Sequence, residues 1–341
     1  MHPVTEHVVH TDGHTTFYLA AGPDDGPPVI FCHGWPELSI SWRHQIACLS
    51  GLGFRAIAPD MRGYGRSSVY DRHADYRLET IVADMIGLAD ALGIERAIWV
   101  GHDWGAPVVW SIASHHPERC LGVANLCVPY ATLERGLEAC LPLIDRSLYP
   151  ADEYPYGQWD YQAFYEEDFA KAIAPFDANP YNAVKALFRK GSPKGRGKVW
   201  RNALIRRQDG WFGGAAEPPD VPRDDDVVSE AELSAYAAAL ARNGFFGPSS
   251  WYMNHGANAD YAARAVDGGR LAMPVLFLAA RYDYTCECID SALAEPMRPL
   301  CADLTEHVID SGHWLAQEKP LQVNAALAGW LARRLPEVWP T

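Results

Sequence analysis

Ile98-Trp99-Val100-Gly101-His102-Asp103-Trp104-Gly105-Ala106-Pro107-Val108 reads as an apolar strand, a sharp turn between two glycines and the start of a helix. That outline is a nucleophile elbow, a strained strand-to-helix corner that lifts one side chain above the end of a sheet. Such a corner needs small residues two before and two after its apex, and Gly101 and Gly105 stand there. The apex usually carries a serine; here it is Asp103. Aspartate is also an ordinary helix N-cap, and the flanking glycines are what favour the elbow. The helix that follows points its free N–H groups and the positive end of its dipole at the apex, a setting suited to an anion.

Outward from the elbow, strand and helix signals alternate. Glu6–His10 and Thr15–Ala20 resemble an opening antiparallel pair, and Val29–Cys32 is a short apolar strand ending in His33-Gly34. Residues 39–51 read as a helix, Phe54–Ala58 as a strand, and Glu79–Leu92 as a helix with apolar residues at 81, 82, 85, 88, 89 and 92 and a stop at Gly93. After the elbow come a helix over Trp104–His115 and a strand over Gly122–Val128. Strands alternating with helices predict βαβ units and a mostly parallel, doubly wound sheet. From about 130 to 265 the alternation stops, and helical patterns, aromatics and loops replace it. A buried strand returns at Pro274–Ala279, then a helical segment near 287–299, a strand at Leu304–Ile309 and an amphipathic helix over 320–334. The expected organisation is an α/β core over 1–130, a helical insertion over 131–265 after the sixth strand, and the rest of the core over 266–341.

Composition narrows the function. The 341 residues carry a formal net charge of -14, which argues against nucleic acid and anionic membranes. The basic run 189–207 reads as a solvated loop and helix face, because the acidic run 224–226 lies near it. MHPVTEHVVH lacks a basic region followed by an apolar run, and no stretch has the roughly 18 apolar residues of a membrane helix. The eight cysteines are scattered, as reduced and mostly buried thiols would be. Cys286 and Cys288 form a C-x-C pair with no second pair at zinc-ligand spacing, so no metal or cofactor is expected. These features together suggest a cytoplasmic enzyme.

Ligands of doubly wound sheets bind beyond the carboxyl ends of the strands. His313, in Ser311-Gly312-His313-Trp314, follows the last strand, where a base belongs. Asp283, in Ala280-Arg281-Tyr282-Asp283, follows the strand before it and is placed to orient the imidazole. Asp310 competes for that role but sits where it would close a turn. The order nucleophile, acid, histidine is that of α/β-hydrolases. His33, Trp35 and Trp104 cluster at strand ends as the expected substrate contacts. The backbone N–H groups of Trp35 and Trp104 are the candidate oxyanion donors.

HGWPE (33–37), DMRGYGRSS (60–68), GHDWGA (101–106), ARYD (280–283) and SGHW (311–314), in this order, resemble the epoxide hydrolases of the α/β-hydrolase fold. The resemblance spans residues 33–314 and implies a helical cap carrying two tyrosines that hold the epoxide oxygen. Asp160-Tyr161-Gln162 is similar to the first tyrosine segment and Trp251-Tyr252-Met253-Asn254 to the second. The family often reads Tyr-Phe-Gln slightly later, where this chain has Phe164-Tyr165-Glu166, so Tyr165, Tyr154 and Tyr156 stay open as alternatives to Tyr161. The cap aromatics Trp159, Phe164, Tyr165, Phe245 and Phe246 suit an apolar or aryl epoxide.

The chemistry explains an aspartate at the apex. Serine attacking a saturated carbon would leave an ether, which water does not readily cleave. Carboxylate attack leaves an ester, whose carbonyl water can attack, and a carboxylate needs no base to be activated at neutral pH. Epoxide and water are thus the expected small-molecule partners. Haloalkane and haloacid dehalogenases use the same nucleophile, but Trp35 stands where the former usually place Asn, and Trp104 where the latter place Arg. A non-catalytic small-molecule-binding protein on this fold is the other alternative. Against it stands the complete set Asp103, Asp283 and His313.

Overall fold

The structure, a computed structural model, describes residues 2–340. Eight strands form one sheet: β1 (Thr5–Thr11), β2 (His14–Ala21), β3 (Pro28–Cys32), β4 (Arg55–Pro59), β5 (Ala97–His102), β6 (Cys120–Leu126), β7 (Leu271–Ala280) and β8 (Cys301–Ile309). Their spatial order is 1-2-4-3-5-6-7-8. β1 pairs antiparallel with β2, and β2 with β4; every later pairing is parallel. The parallel centre is covered on both faces, so its strands need no polar alternation. Val29, Ile30, Phe31, Ile98 and Val100 are all fully buried. This is the mostly parallel, doubly wound sheet that the alternation predicts, with the α/β-hydrolase fold that the resemblance implies.

Three helices flank the first half of the sheet: α1 (Arg43–Gly51), α2 (Leu78–Ala91) and α3 (Gly105–His115). In α2 the expected apolar stripe of Ile81, Val82, Met85, Leu88 and Ala89 is the buried face. Gly93, at φ +68°, adopts the left-handed turn that ends it. A short 3-10 turn over Ser39–Trp42 opens the segment read as one helix from 39. Between β6 and β7 the described residues contain no strand. Their longer helices are Asp160–Glu167, Phe169–Ala178, Pro180–Leu187, Glu230–Asn243 and His255–Ala262. No helix of the described residues is long and apolar enough to cross a membrane.

One expectation fails. Residues 287–299 form turns rather than a helix. Glu287 diverts the chain: its Oε1 accepts the N–H groups of Ile289 and Asp290, and its carbonyl accepts the Ser291 hydroxyl. Side chains that offer the backbone such partners compete with helix formation, and Pro296 interrupts the segment further. The helix over Pro320–Arg334 forms at the expected residues.

Parallel pairing aligns the strand ends that matter. Cys32 pairs with Gly101, and Ala280 with Ile309. The residues just past β3, β5, β7 and β8 therefore emerge on one edge of the sheet.

Candidate active site

Asp103 stands at the apex of the β5–α3 corner with φ +49°, a left-handed conformation unusual for a residue with a side chain. The corner has no room for larger neighbours. A Cβ on Gly105 would overlap the Cys32 carbonyl, and one on Gly101 would overlap the Asn125 side chain and stand 2.7 Å from the Ala106 Cα. A Cβ on Gly34 would overlap Asp103 itself. We expect Gly105→Ala to destabilise the protein by about 3 kcal/mol, as overpacking against backbone does. Denaturant unfolding would measure it, and unchanged stability would show that the corner relaxes freely.

Beyond that corner the expected partners converge. His313 Nε2 lies 3.3 Å from Asp103 Oδ2, and His313 Nδ1 lies 2.7 Å from Asp283 Oδ2. The other oxygen of Asp283 accepts the N–H groups of Thr285 and Cys286, each at 3.1 Å. Asp283 is buried, which disfavours its charge, yet the His313 charge and these hydrogen bonds hold its carboxyl below the usual range. The competitor Asp310 is exposed and pairs with Arg281. Burial also disfavours a charged His313, but Asp283 and the hydrogen bond to Asp103 outweigh it and raise the imidazole well above its ordinary value. Both carboxylates thus favour the protonated form of His313. Any event that removes the Asp103 charge removes part of that support and moves His313 towards a base.

Trp35 N–H donates to Asp103 Oδ1 at 2.7 Å. The Trp104 N–H, the other expected donor, lies 2.7 Å from where a Gly34 Cβ would stand, beside that same carboxylate. No hydrogen bond occupies it among the described residues.

A cavity of about 470 Å³ opens over this edge. Asp103, Asp283, His313 and Trp35 contribute to its wall from the sheet side, and Tyr161, Trp211 and Tyr252 from the segment between β6 and β7. The rings of Tyr161 and Tyr252 lie 5.6 Å apart, edge to face. Burial above all, and the nearby Asp103 charge, push both phenols well above their ordinary value, so both remain donors. Tyr165 stacks flat against Tyr252 at 4.8 Å, outside the cavity wall, and neither Tyr154 nor Tyr156 reaches that wall.

Several expected contacts do not reach the cavity. His33 is turned into the core, where its Nε2 accepts the Met61 N–H at 2.9 Å and its Nδ1 donates to the Gly34 carbonyl. It braces the loop after β4 instead of touching ligand. The Trp104 indole is buried behind Tyr252, with ring centres 5.2 Å apart, and is absent from the wall. Trp159, Phe164, Tyr165, Phe245 and Phe246 all stay off the cavity wall, whose indoles are Trp35, Trp200, Trp211 and Trp314 instead. The run 189–207 is likewise more than a solvated face, because Arg189, Lys190, Lys194, Lys198 and Arg201 line the cavity.

A buried pair that sequence reasoning missed ties the site together. Glu37 Oε2 accepts the Gly34 N–H at 3.0 Å and meets His102 Nδ1 at 2.8 Å. His102 Nε2 reaches the His313 carbonyl at 2.8 Å. The His102 charge helps hold Glu37 at about 2 despite its burial. The loop bearing Trp35 and the loop bearing His313 are thereby joined behind the elbow. Both residues sit inside quoted motifs, HGWPE and GHDWGA, but a pair 65 positions apart leaves no spacing signal. Two groups approach metal-ligand spacing, His102–Cys127–His313 and Asp283–Cys286–His313. Both nitrogens of His102 and Nδ1 of His313 are already engaged in hydrogen bonds.

Comparison with known proteins shows the family. The α/β hydrolase fold family matches residues 27–320. Epoxide hydrolase A of Mycobacterium tuberculosis is 34% identical over 332 residues, covering 96% of this chain and 97% of that protein. This chain belongs to the epoxide hydrolases. Epoxide hydrolase B of the same organism is 32% identical over 93% of this chain and 95% of its own. The crystal structure of epoxide hydrolase A from Mycobacterium thermoresistibile superposes with a TM-score of 0.79 at 31% identity, over 97% of this chain and 99% of that one. The family thus spans both the sheet and the helical segment between β6 and β7.

Proposed function

We propose that this epoxide hydrolase opens an epoxide to a vicinal diol through an ester on Asp103. The observation that carries the reading is the placement of Asp103 Oδ1 on the Trp35 N–H and Oδ2 beside His313. Oδ2 is the free nucleophile. It attacks a ring carbon while Tyr161 and Tyr252 donate to the epoxide oxygen, and one phenol gives up its proton as the C–O bond breaks. Oδ1 stays on its donor and becomes the ester carbonyl oxygen.

The second step follows from the charge lost in the first. Esterified Asp103 no longer supports the His313 imidazolium, and the proton leaves to the solvent or to the newly formed phenolate. Neutral His313, oriented by Asp283, then takes a proton from water, which attacks the ester carbonyl. The Trp35 and Trp104 N–H groups hold the oxyanion on Oδ1, worth about 3–4 kcal/mol per well-placed donor. The diol leaves and the carboxylate returns. The eight free thiols, seven of them buried, support a cytoplasmic setting. The domain division at about 130 and 265 is part of the same proposal, with residues 131–265 as the cap.

The tyrosines provide the test. Tyr161→Phe and Tyr252→Phe are each expected to slow diol formation by about 10²-fold, the usual weight of a positioned acid. Diol and halide release are assayed together on epoxide and haloalkane substrates. Halide release in preference to diol, unaffected by either substitution, would assign the site to dehalogenation.

A further inference from the structure

Trp35 is held from two directions. Its main-chain N–H donates to Asp103 Oδ1 at 2.7 Å, on the sheet side of the site. Its side chain points the other way, into the helical segment between β6 and β7. There the indole lies among four rings of that segment, with centres at 5.4 Å for Phe176, 5.9 Å for Trp211, 6.0 Å for Tyr252 and 6.3 Å for Phe245. In that apolar nest the indole N–H donates to the Ser249 hydroxyl at 3.3 Å. Ser249 is fully buried and Trp35 is 6% exposed. Phe176, Trp211 and Phe245 carry no acceptor for an N–H beyond their ring faces. A buried donor without a partner is costly, so the indole stays where the hydroxyl is.

The turn that supplies this hydroxyl is itself fixed. Ser249 ends the short helix Phe246–Ser249 and leads into the 3-10 turn Ser250–Met253, which carries Tyr252. Ser250 Oγ donates to the Phe246 carbonyl at 2.7 Å and therefore accepts the His73 Nδ1 proton at 2.8 Å. Trp251 Nε1 donates to the Arg62 carbonyl at 3.2 Å, and Asn254 Nδ2 to the His73 carbonyl at 2.8 Å. One turn, bound to the chain that follows β4, thus presents both the Tyr252 phenol and the Ser249 hydroxyl. Ser249 itself lies off the cavity wall.

We propose that Ser249 is a positioning residue for ester hydrolysis: by accepting the Trp35 indole N–H it sets the Trp35 main-chain N–H against the Tyr252 turn, and so keeps that donor on Asp103 Oδ1. The proposal rests on the aspartyl-ester reading and adds a residue that acts through Trp35 without touching substrate. The rings around the indole hold its rotamer, because an interior packed this closely does not let a large side chain turn. A shift of the indole therefore moves the Trp35 backbone. The main-chain N–H matters most in the second step, when negative charge gathers on Oδ1. Attack by Oδ2 on the epoxide draws charge away from the carboxylate and needs that donor less.

Ser249→Ala and Trp35→Phe each remove one end of the bond, and phenylalanine keeps the main-chain N–H and a ring in the nest. Rapid-quench intact-mass sampling of a single turnover on an aryl epoxide such as styrene oxide reads ester formation and ester decay separately. In either variant ester decay is expected to slow by about tenfold, a part of the roughly 10²- to 10³-fold that deleting an oxyanion donor costs, with ester formation little changed. The double substitution should decay no more slowly than Trp35→Phe alone, because only one interaction is lost. A general loosening of the fold would slow both steps together, and two independent effects would multiply. Equal slowing of both steps, decay at the parental rate, or multiplied effects in the double variant each overturn the proposal. Should Ser249→Ala not fold, Trp35→Phe alone carries the step-by-step comparison. Absence of any ester on His313→Gln protein would overturn the aspartyl-ester reading instead, whatever Ser249 does.

Discussion

His313→Gln is expected to produce a protein that reacts once and stops. Attack by Asp103 Oδ2 needs no base, so the ester still forms. Its breakdown needs a group that takes a proton from water, and glutamine cannot do so. Steady-state diol production should fall by about 10³-fold or more, within the range a general base contributes. Intact-mass measurement after mixing with epoxide should show the protein heavier by one substrate, and peptide mapping should place the adduct on the segment containing Asp103. The charge argument adds a second readout. The raised pKa of His313 comes partly from Asp103, so in the parent enzyme the imidazole should titrate at lower pH in the esterified state than in the free one. Unmodified His313→Gln protein turning over at the parental rate would remove His313 from the mechanism.

Asp103→Ala is expected to lose both steps, with activity down on the order of 10⁴-fold or more, as when a nucleophile is deleted from a working triad. Stability should fall only modestly, because alanine tolerates φ +49° less well than aspartate and the contact with His313 is lost, whereas the Trp35 N–H it abandons faces the cavity. Largely retained cooperative unfolding with abolished turnover separates a catalytic role from a structural one. The parent enzyme supplies the positive form of the same test. In a single turnover in heavy-oxygen water, the label should enter the Asp103 side chain, because water attacks the ester carbonyl. The first diol released then carries an oxygen from the protein. Label in the diol with none at position 103 would mean that water attacks the epoxide directly.

Much of this was legible in the sequence because the signals were local. The elbow declares itself through two glycines around an aspartate, and the structure shows why each is required, with the Cys32 carbonyl and the Asn125 side chain where their Cβ atoms would be. His313 and Asp283 were readable as the first polar groups past apolar strands. What escaped reading lacked periodicity or depended on distant contacts. The loop 189–202 forms most of the mouth, yet its composition matches that of any solvated loop. Residues 287–299 imitate a helix because Leu293, Ala294 and Met297 are buried at helix-like spacing, while turns anchored on Glu287 bring them inward. His33 looked like a ligand contact because it follows a strand. Its ring instead finds partners in the Met61 N–H and the Gly34 carbonyl, a choice that spacing does not reveal.

The loop that rims the cavity is riveted to the loop that bears His313. A Cβ on Gly191 would overlap the Gly312 nitrogen, and one on Gly312 would stand 2.6 Å from the Gly191 nitrogen. Glu318 Oε2 grips both N–H groups, at 2.9 and 2.7 Å. For anyone reshaping this enzyme, the two sides of the aperture are therefore unequal. The exposed side chains of Lys194 and Lys198 can be trimmed or exchanged to admit bulkier molecules. Remodelling the flank at Gly191 would displace the loop that carries His313, the proposed base, so gains in access there would be cancelled by losses in chemistry.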